Sequence, residues 1–384
     1  MKKKIQLLSV GHSYVVALNR SLMRELNKSD RVQVTVGAPR FFAGDLRPIH
    51  VEDEPIGSDL QVVDLPCTLT SSIHLFWYNS SELRRLVQSK PWDYGYLWEE
   101  PYIFSGFQLA WALQKKNIPY SLFTNQNIFK KYPWPFSQFE KRTLQHCDSL
   151  WGCGPQVLET FRQKQYTGPS EVVPYFVNTE RFMPLTPQQK SQNRKKWGLR
   201  DVKTVGFMGR LTKEKGLEHF CYAVEKLPRE TLWQVLILGD GPMKAELQAW
   251  ILKNNFQERV FLKLVKHEEV PQVLPTMDVL LCPSQTTQFW REQFGRMIIE
   301  ALACGVVVIA SDSGEIPFVV DDAGLIVSEH DKEAWAQTLG QTLANDDLLH
   351  KMRERGFQRA RTFSIKTVAE QIEKIIVARL SKSK

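Results

Sequence analysis

Segments with strand character and segments with helical periodicity alternate along the chain, and this order restricts the fold more than any other feature. Strand-like runs at residues 4–10, 31–36, 61–65, 94–98 and 120–124 are separated by helical patterns at 15–26, 73–88 and 104–116. The alternation starts again with strands at 204–208, 233–238, 260–264 and 279–281 and a helix at 217–226. Such an order is typical of βαβ units and predicts an α/β protein with parallel sheets.

The length of 384 residues is more than one compact core usually holds, so we expect two Rossmann-like domains. Residues 186–200 are polar and basic with almost no apolar period, which places the join there. The predicted domains are 1–185 and 186–364, followed by a helix within 365–384. Ligands of open parallel sheets bind beyond the carboxyl ends of the strands, and we expect that site in a cleft faced by both domains.

The composition is that of a soluble globular protein, with 43% hydrophobic and 24% charged residues. No apolar run approaches the 18 residues of a membrane span, and the six cysteines form no C-x-x-C pair. We therefore expect a cytoplasmic protein with reduced thiols. The basic start of the chain is better interpreted as leading into a first strand than as a signal peptide.

The formal net charge of +8 indicates either an anionic partner or nothing beyond solubility. Basic residues concentrate at 190–203, and a basic, aromatic segment occurs at 129–136. No nucleic-acid-binding module is recognisable, so we expect no nucleic acid partner. We expect instead contact with an anionic membrane surface, at the inner face of the membrane, or with a phosphate-bearing acceptor.

Two carboxylates, Glu292 and Glu300, flank the start of a predicted helix near Gly295. The first N–H groups of a helix lack intrahelical partners, and the helix dipole is positive at the same end, so a phosphate can bind there. Carboxylates repel phosphate, and their expected role is to accept hydrogen bonds from hydroxyl groups. A diphosphate between two hydroxyl-bearing units, as in a nucleotide sugar, fits this pattern.

This acidic block resembles the E-x7-E signature of retaining glycosyltransferases of family four, which have the GT-B fold. Further similar segments follow the order of that family: 173–182 (VPYFVNTERF), 209–216 (GRLTKEKG), 239–242 (GDGP) and 281–284 (LCPS). The set covers roughly residues 170–330, and each segment alone is a weak signal. The resemblance implies a GT-B architecture whose last helix crosses back to the first domain.

The resemblance also implies roles for residues of the second domain. Arg210 and Lys215 would hold the diphosphate and, with Glu292, carry the catalysis. Glu300 would accept hydrogen bonds from the ribose, and Glu292 from the transferred sugar. The other implied donor contacts are the backbone of Phe294, Gly295, Arg296 and Met297, the nucleoside neighbours Gly239 and Gly241, and Ser284 and Val265. No D-x-D pair occurs, so we expect neither a metal nor a cofactor.

The first domain offers polar residues at predicted strand ends. Gly11 keeps half of the glycine pair that the family places near the donor phosphates, and His12 departs from it. Asn125 and Gln126 stand where many relatives have a histidine directed at the transferred sugar, and an amide can still bind a hydroxyl group. Glu99 and Glu100 follow the strand at 94–98 and could position an acceptor hydroxyl or simply be strand-end charges.

The expected function is metal-independent, retaining transfer of a hexosyl-type sugar from a nucleoside diphosphate sugar. The acceptor is expected to be a hydroxyl group of a polysaccharide, a glycolipid or a small metabolite. Two alternatives stay open: a sugar-nucleotide epimerase with the same fold, and a non-catalytic nucleotide-sugar-binding partner subunit. A dinucleotide dehydrogenase is disfavoured because no G-x-G-x-x-G follows either first strand.

Overall fold

The protein is represented by a computed structural model, which describes residues 3–43 and 48–382. Within these residues the chain forms two compact units. The first runs to Pro174 and resumes at Ile365, and the second is Tyr175–Ser364. The predicted α/β class with two parallel-sheet domains is confirmed.

The first unit is built on a sheet of seven parallel strands. In chain order the strands of this unit are β1 (Ile5–Val10), β2 (Val32–Pro39), β3 (Phe41–Phe42), β4 (Ile49–His50), β5 (Gln61–Leu65), β6 (Cys67–Thr68), β7 (Trp77–Tyr78), β8 (Tyr94–Leu97), β9 (Tyr120–Thr124), β10 (Ser149–Gly152) and β11 (Ser170–Val172). The sheet order is β11-β10-β9-β8-β1-β2-β5, and the short pairs β3-β4 and β6-β7 lie outside it. The strands β1, β8 and β9 are therefore neighbours, and their carboxyl ends meet at one edge.

Five helices connect these strands: α1 (Ser21–Asn27), α2 (Ser80–Gln88), α3 (Phe104–Gln114), α4 (Phe136–Gln145) and α5 (Pro155–Gln163). The helix expected at 73–88 is wrong in its first part. Asn79 caps α2 by accepting hydrogen bonds from the N–H groups of Ser81 and Glu82 at 3.1 and 3.2 Å, so the helix begins only at Ser80. The preceding Trp77 and Tyr78 form β7 instead.

The second unit contains six parallel strands in the order β14-β13-β12-β15-β16-β17. They are β12 (Lys203–Met208), β13 (Trp233–Leu238), β14 (Val260–Lys263), β15 (Val279–Cys282), β16 (Val307–Ser311) and β17 (Leu325–Val327). Every residue of β13, β15 and β16 is buried. Helices cover both faces of such a sheet, and the central strands are therefore almost entirely apolar.

The helices of the second unit are α6 (Pro187–Lys196), α7 (Leu217–Glu225), α8 (Lys244–Lys253), α9 (Val270–Val273), α10 (Arg296–Ala303), α11 (Ile316–Val320), α12 (Lys332–Ala344) and α13 (Asp346–Thr362). Thr186 and Gln189 form a capping box at the start of α6. The polar residues 186–200, where the join was placed, thus largely form a helix that belongs to the second unit.

Much of the basic cluster at 190–203 is neutralised within the fold. The buried carboxylate of Asp278 accepts a hydrogen bond from Lys190 Nζ at 2.7 Å and one from Arg194 at 2.6 Å. Arg194 also pairs with Asp201 at 2.8 Å, and Lys203 pairs with Asp346. Lys190, Arg194 and Lys203 thus have carboxylate partners within the second unit.

The last helix, α14 (Ile365–Lys382), belongs to the first unit and packs on α1. Its apolar face consists of Val368, Ile372 and Ile376, which are all buried. Arg379 binds both carboxylate oxygens of Asp148 at 2.7 and 2.8 Å. None of the helices within 3–43 and 48–382 has the length and apolar content that a bilayer crossing requires.

Candidate functional site

The carboxyl ends of neighbouring strands form a pocket in the second unit. Arg210 follows β12, Gly239 follows β13 and Val265 follows β14, and all three residues line a cavity of about 340 Å³. Glu300 of α10 and His267 complete its wall. The structure thus brings together four of the residues singled out in the sequence.

A close contact between two glycines shapes this pocket. A Cβ atom on Gly239 would lie 1.9 Å from the carbonyl oxygen of Gly209, and Gly209 itself has a φ of +152°. No side chain fits between the ends of β12 and β13 at this distance. The glycines therefore leave backbone, not side chains, at the entrance to the pocket.

Gly295 places Glu300 in the pocket wall. With a φ of +76°, Gly295 turns the chain into α10, which begins at Arg296, and Glu300 lies in its second turn. The carboxyl of Glu300 is buried, and burial raises its pKa to about 7 even though Arg296 and Arg181 act in the opposite direction. Arg181 also donates to the carbonyl oxygen of His267 at 3.3 Å, which fixes it at the same wall.

A second group of residues surrounds Glu292. Lys215 Nζ lies 2.6 Å from Glu292 Oε2, and the Ser284 hydroxyl donates to the same oxygen at 2.9 Å. The Lys215 ammonium also lies 4.8 Å from the ring centroid of Trp290. Glu292 and Ser284 are buried, so this is an ion pair with little contact to water.

Two further glycines hold this group together. Gly216, with a φ of +69°, approaches β15 so closely that a Cβ atom would lie 1.7 Å from the carbonyl oxygen of Pro283. This contact brings Lys215 beside Ser284. Gly314 has a φ of +56°, and a Cβ atom added to it would lie 2.0 Å from the carbonyl oxygen of Glu292. That oxygen accepts a hydrogen bond from the N–H of Glu315 at 3.1 Å.

The first unit has its own polar row at the ends of β1, β8 and β9, and it begins with His12. Glu99 accepts the backbone N–H of His12 at 2.8 Å and contacts His12 Nδ1 at 2.6 Å. Tyr78 donates its hydroxyl to Glu99 at 2.7 Å. Burial lowers the pKa of His12, but the carboxylate of Glu99 outweighs it and raises the pKa above its ordinary value.

Glu100, Asn125 and Gln126 continue this row. Glu100 accepts hydrogen bonds from the Thr124 hydroxyl at 2.5 Å and from the N–H of Asn125 at 3.0 Å. Burial raises the pKa of Glu100 against these bonds. The side-chain oxygens of Asn125 and Gln126 are buried without a hydrogen-bond partner among the described residues. These two acceptor oxygens are therefore available to a group that donates hydrogen bonds.

The comparison with known families matches the same part of the chain. Residues 189–359, which contain the pocket and the Glu292 group, fit the family model described as glycosyl transferases group 1. This segment is similar to the glycosyl transferases group 1 family. The family resemblance drawn from the E-x7-E block and its neighbours is confirmed at this level.

Individual relatives include the D-inositol 3-phosphate glycosyltransferase of Corynebacterium jeikeium. It is 32% identical over 216 residues, which are 53% of this chain and 50% of the relative. The 2-deoxystreptamine glucosyltransferase of Streptomyces kanamyceticus is 32% identical over 148 residues, 38% of this chain and 37% of the relative. The chain thus matches at most about half the length of these curated relatives.

Solved structures are similar over the whole chain. Sucrose-phosphate synthase from Thermosynechococcus elongatus covers 100% of both chains with a TM-score of 0.72 at 19% identity. Anabaena HepE, solved in complex with UDP, covers 97% of this chain and 100% of its own with a TM-score of 0.74 at 17% identity. These identities speak for the fold alone, and the predicted GT-B fold class is confirmed.

Some of the residues expected to contact the donor have structural surroundings of their own. The Phe294 ring packs between Tyr175 and Phe363 at 5.4 and 5.6 Å, which leaves only its backbone for a ligand. The Met297 side chain is half-buried, whereas the side chains of Ile298 and Ile299, which follow it in α10, are buried. Gly241 packs against the backbone of Leu211 and does not line the pocket.

Gly11 also has a packing role, because a Cβ atom there would lie 2.7 Å from the carbonyl oxygen of Trp98. The donor and acceptor roles of all these residues stay predictions.

Several residues of the second unit and of the first unit were not singled out in the sequence. Trp290 lies two positions before Glu292, and its contact with Lys215 depends on the fold. His267 follows the end of β14, so its position at a strand end was a usable signal. Arg181 lies in the family-like segment 173–182 and Tyr78 in the segment predicted as a helix at 73–88, and neither pattern indicated that these side chains reach the sites.

Proposed function

We propose that the protein is a retaining glycosyltransferase that uses a nucleoside diphosphate sugar and requires no metal. One observation carries the proposal. The second unit contains both a pocket lined by Arg210, Gly239 and Glu300 and a Lys215–Glu292 ion pair at 2.6 Å. Cations for a diphosphate and carboxylates for hydroxyl groups are the pairing that a nucleotide sugar requires.

The nucleoside fits the pocket at the strand ends. The glycine backbone near Gly239 permits close approach of a flat base, and Glu300 supplies acceptor oxygens for the two ribose hydroxyls. The start of α10 and the side chains of Arg210 and Lys215 then stabilise the diphosphate. These groups stabilise the negative charge that collects on the leaving phosphate as the bond breaks.

The transfer step breaks the bond between the anomeric carbon and the diphosphate oxygen. An acceptor hydroxyl oxygen bonds to the same face of that carbon, and its proton passes to the departing phosphate oxygen. The configuration of the sugar is retained. Glu292 accepts hydrogen bonds from sugar hydroxyls. The Lys215 ammonium interacts with both the Glu292 carboxylate and the phosphate.

The acceptor is assigned to the row in the first unit. Its buried, orphaned oxygens on Asn125 and Gln126 suit a ligand that presents several hydroxyl groups. His12, oriented by Glu99, adds a hydrogen-bond donor beside them. Two relatives are named for polyhydroxylated ring acceptors, D-inositol 3-phosphate and 2-deoxystreptamine, and an acceptor of this kind fits the row.

We also propose that segment 129–136 contacts an anionic membrane surface. Trp134 is 79% exposed and Phe129 43% exposed, and Lys130 and Lys131 lie beside them on the surface. Tyr132 anchors the segment by stacking on Tyr102 with ring centroids 3.9 Å apart. Exposed aromatic and basic side chains together are typical of peripheral membrane contacts.

The test begins with donor binding. Calorimetry with the uridine, guanosine and adenosine diphosphate sugars, with and without EDTA, should find one donor whose affinity EDTA does not change. Lys215→Gln should weaken its binding, while Lys213→Gln, which changes an exposed lysine on the same turn, should leave it intact. Product formation with inositol 3-phosphate or 2-deoxystreptamine is then followed by NMR, which reports the anomeric configuration.

Other outcomes would decide for the alternatives. Conversion of the donor into its epimer without any acceptor would make the protein an epimerase. Donor binding without turnover across the acceptors would favour a non-catalytic partner subunit. Inverted product, or activity lost with EDTA and restored by a divalent cation, would contradict the retaining or the metal-independent part of the proposal. Sedimentation with phosphatidylglycerol vesicles, lost in Trp134→Ala, tests the membrane contact separately.

A further inference from the structure

A basic groove runs between α2 and α3 of the first unit, on residues other than those of the strand-end row. It has a volume of about 430 Å³, within the range of ligand-binding clefts. Leu83 and Val87 form its apolar floor, and the Trp111 side chain stands at its edge, 48% exposed.

Three cations and no carboxylate line the groove. Arg84 projects from α2, and Lys115 and Lys116 follow the end of α3. None of the three forms an ion pair within the part of the chain that the structure describes, whereas the neighbouring Arg85 pairs with Glu82 at 2.8 Å. Unpaired cations around one concave surface create a field that attracts anions.

The indole gives the groove a second chemical property. Lys115 Nζ lies 3.6 Å from the ring centroid of Trp111, so a cation and an aromatic face form one wall. An aromatic face can stack on the C–H face of a sugar ring, while the cations bind its acidic substituents. Gln88 and Ser80 add polar groups for hydroxyls along the groove.

We propose that this groove binds an anionic saccharide, a sugar chain that carries phosphate, sulfate or carboxylate groups. The paired indole and ammonium favour a saccharide over a simple anion, which would need the cations alone. Hydrogen bonds connect the inner end of the groove, at Gln108, to Glu99 in the polar row at the strand ends of the first unit. Gln108 bonds the backbone of Tyr78 at 2.9 and 2.7 Å, and the Tyr78 hydroxyl binds Glu99.

The test uses the full-length protein and needs no transfer activity, so its failure and the failure of the proposed function are distinguishable. Binding of a heparin-derived hexasaccharide, as a sulfated probe, is compared by calorimetry with that of neutral maltohexaose. The triple variant Arg84→Gln, Lys115→Gln, Lys116→Gln should weaken hexasaccharide binding at least about tenfold. The control triple Arg85→Gln, Lys141→Gln, Arg142→Gln removes the same charge from exposed positions and should weaken binding less than about twofold.

Trp111→Ala separates a saccharide site from an anion site. It should weaken binding of the hexasaccharide several-fold and leave binding of inorganic tripolyphosphate unchanged. The proposal is overturned if the wild-type protein does not bind the hexasaccharide, or if both triple variants weaken binding equally. It is also overturned if the groove triple variant binds phosphatidylglycerol vesicles more weakly than the wild type does but binds the hexasaccharide equally well. The groove would then contact lipid.

Discussion

Lys215 Nζ and Glu292 Oε2 are 2.6 Å apart, and the Ser284 hydroxyl binds the same carboxylate oxygen. In the proposed mechanism, Lys215 serves the diphosphate and Glu292 the sugar. The diphosphate of the donor therefore competes with Glu292 for Lys215. The sugar of the same donor competes with Lys215 for Glu292. This relationship gives the two side chains opposite effects on nucleotide binding.

Glu292→Gln should lower turnover at least about a hundredfold and leave affinity for the free nucleoside diphosphate unchanged or higher. The neutral amide no longer holds the Lys215 ammonium, which is then available to phosphate. Lys215→Gln should weaken the same nucleotide. Calorimetry with UDP and GDP and a product assay measure both effects. Equal loss of diphosphate affinity in the two variants would contradict this division of roles.

Glu300 should make the stability of the ligand-free protein depend on pH. Burial raises its folded-state pKa to about 7 from the ordinary 4.5, so between these values the folded state holds a proton that the unfolded state has released. Stability therefore falls as pH rises through this interval. Glu300→Gln should remove this slope and raise the free energy of unfolding at pH 8 by up to about 3 kcal/mol.

Urea unfolding at pH 5 and pH 8 measures this effect, with the exposed Glu246→Gln as control. An unchanged slope in Glu300→Gln would show that the carboxyl titrates normally. The same variant should weaken nucleotide binding about tenfold at pH 8, because an amide offers the ribose hydroxyls one weaker acceptor.

Gly239→Ala should destabilise the second unit by about 2 kcal/mol or more, since its Cβ atom would lie 1.9 Å from the Gly209 carbonyl oxygen. It should also weaken donor binding, because the ends of β12 and β13 must separate. Gly340→Ala is the control: a Cβ atom there meets nothing within 4 Å, and alanine in α12 should stabilise by up to about 1 kcal/mol. Thermal unfolding of both variants checks the prediction, and similar midpoints would refute it.

Asp278→Asn should cost about 3–5 kcal/mol at pH 7, because it leaves Lys190 and Arg194 without their buried partner. Burial raises the pKa of Asp278, but the two cations outweigh it and lower the pKa below the ordinary value. The pair therefore contributes its full stability above the ordinary aspartate pKa and loses it as the pH falls through the lowered one.

The difference between Asp278→Asn and the wild type should accordingly shrink in strongly acidic solution. Asp201→Asn provides a matched control, since Asp201 pairs with the same Arg194 but is largely exposed. Its cost should stay below about 1 kcal/mol. Urea unfolding at several pH values would contradict the account if the two aspartates proved equally important.

The sequence predicted the local parts of the candidate site and missed its long-range contacts. The spacing of Glu292, Gly295 and Glu300 placed one carboxylate before the helix and one within it, because these positions depend on helix geometry alone. The contact of Lys215 with Glu292 joins residues 77 positions apart. The resemblance named both residues, but no local pattern could show that they touch.

The predicted fold failed where a capping signal was overlooked. Asn79 with Glu82 three positions later marks a helix start, and its recognition would have limited the predicted helix at 73–88 to the observed α2. Asp278 is different in kind. It directly precedes β15, and in the sequence it resembles any charged residue next to a strand. Only the packing of α6 against it shows that the basic cluster has a partner within the fold.

The position of α14 has a consequence for the order of folding. The first unit requires a helix that is synthesised only after the whole second unit, and Asp148 obtains Arg379 from a position 231 residues later. During translation the second unit can complete its core while the first still exposes the surface of α1 that α14 will cover. A ribosome-bound chain of residues 1–364, followed by a linker long enough to fill the exit tunnel, should therefore protect the second unit from protease better than the first.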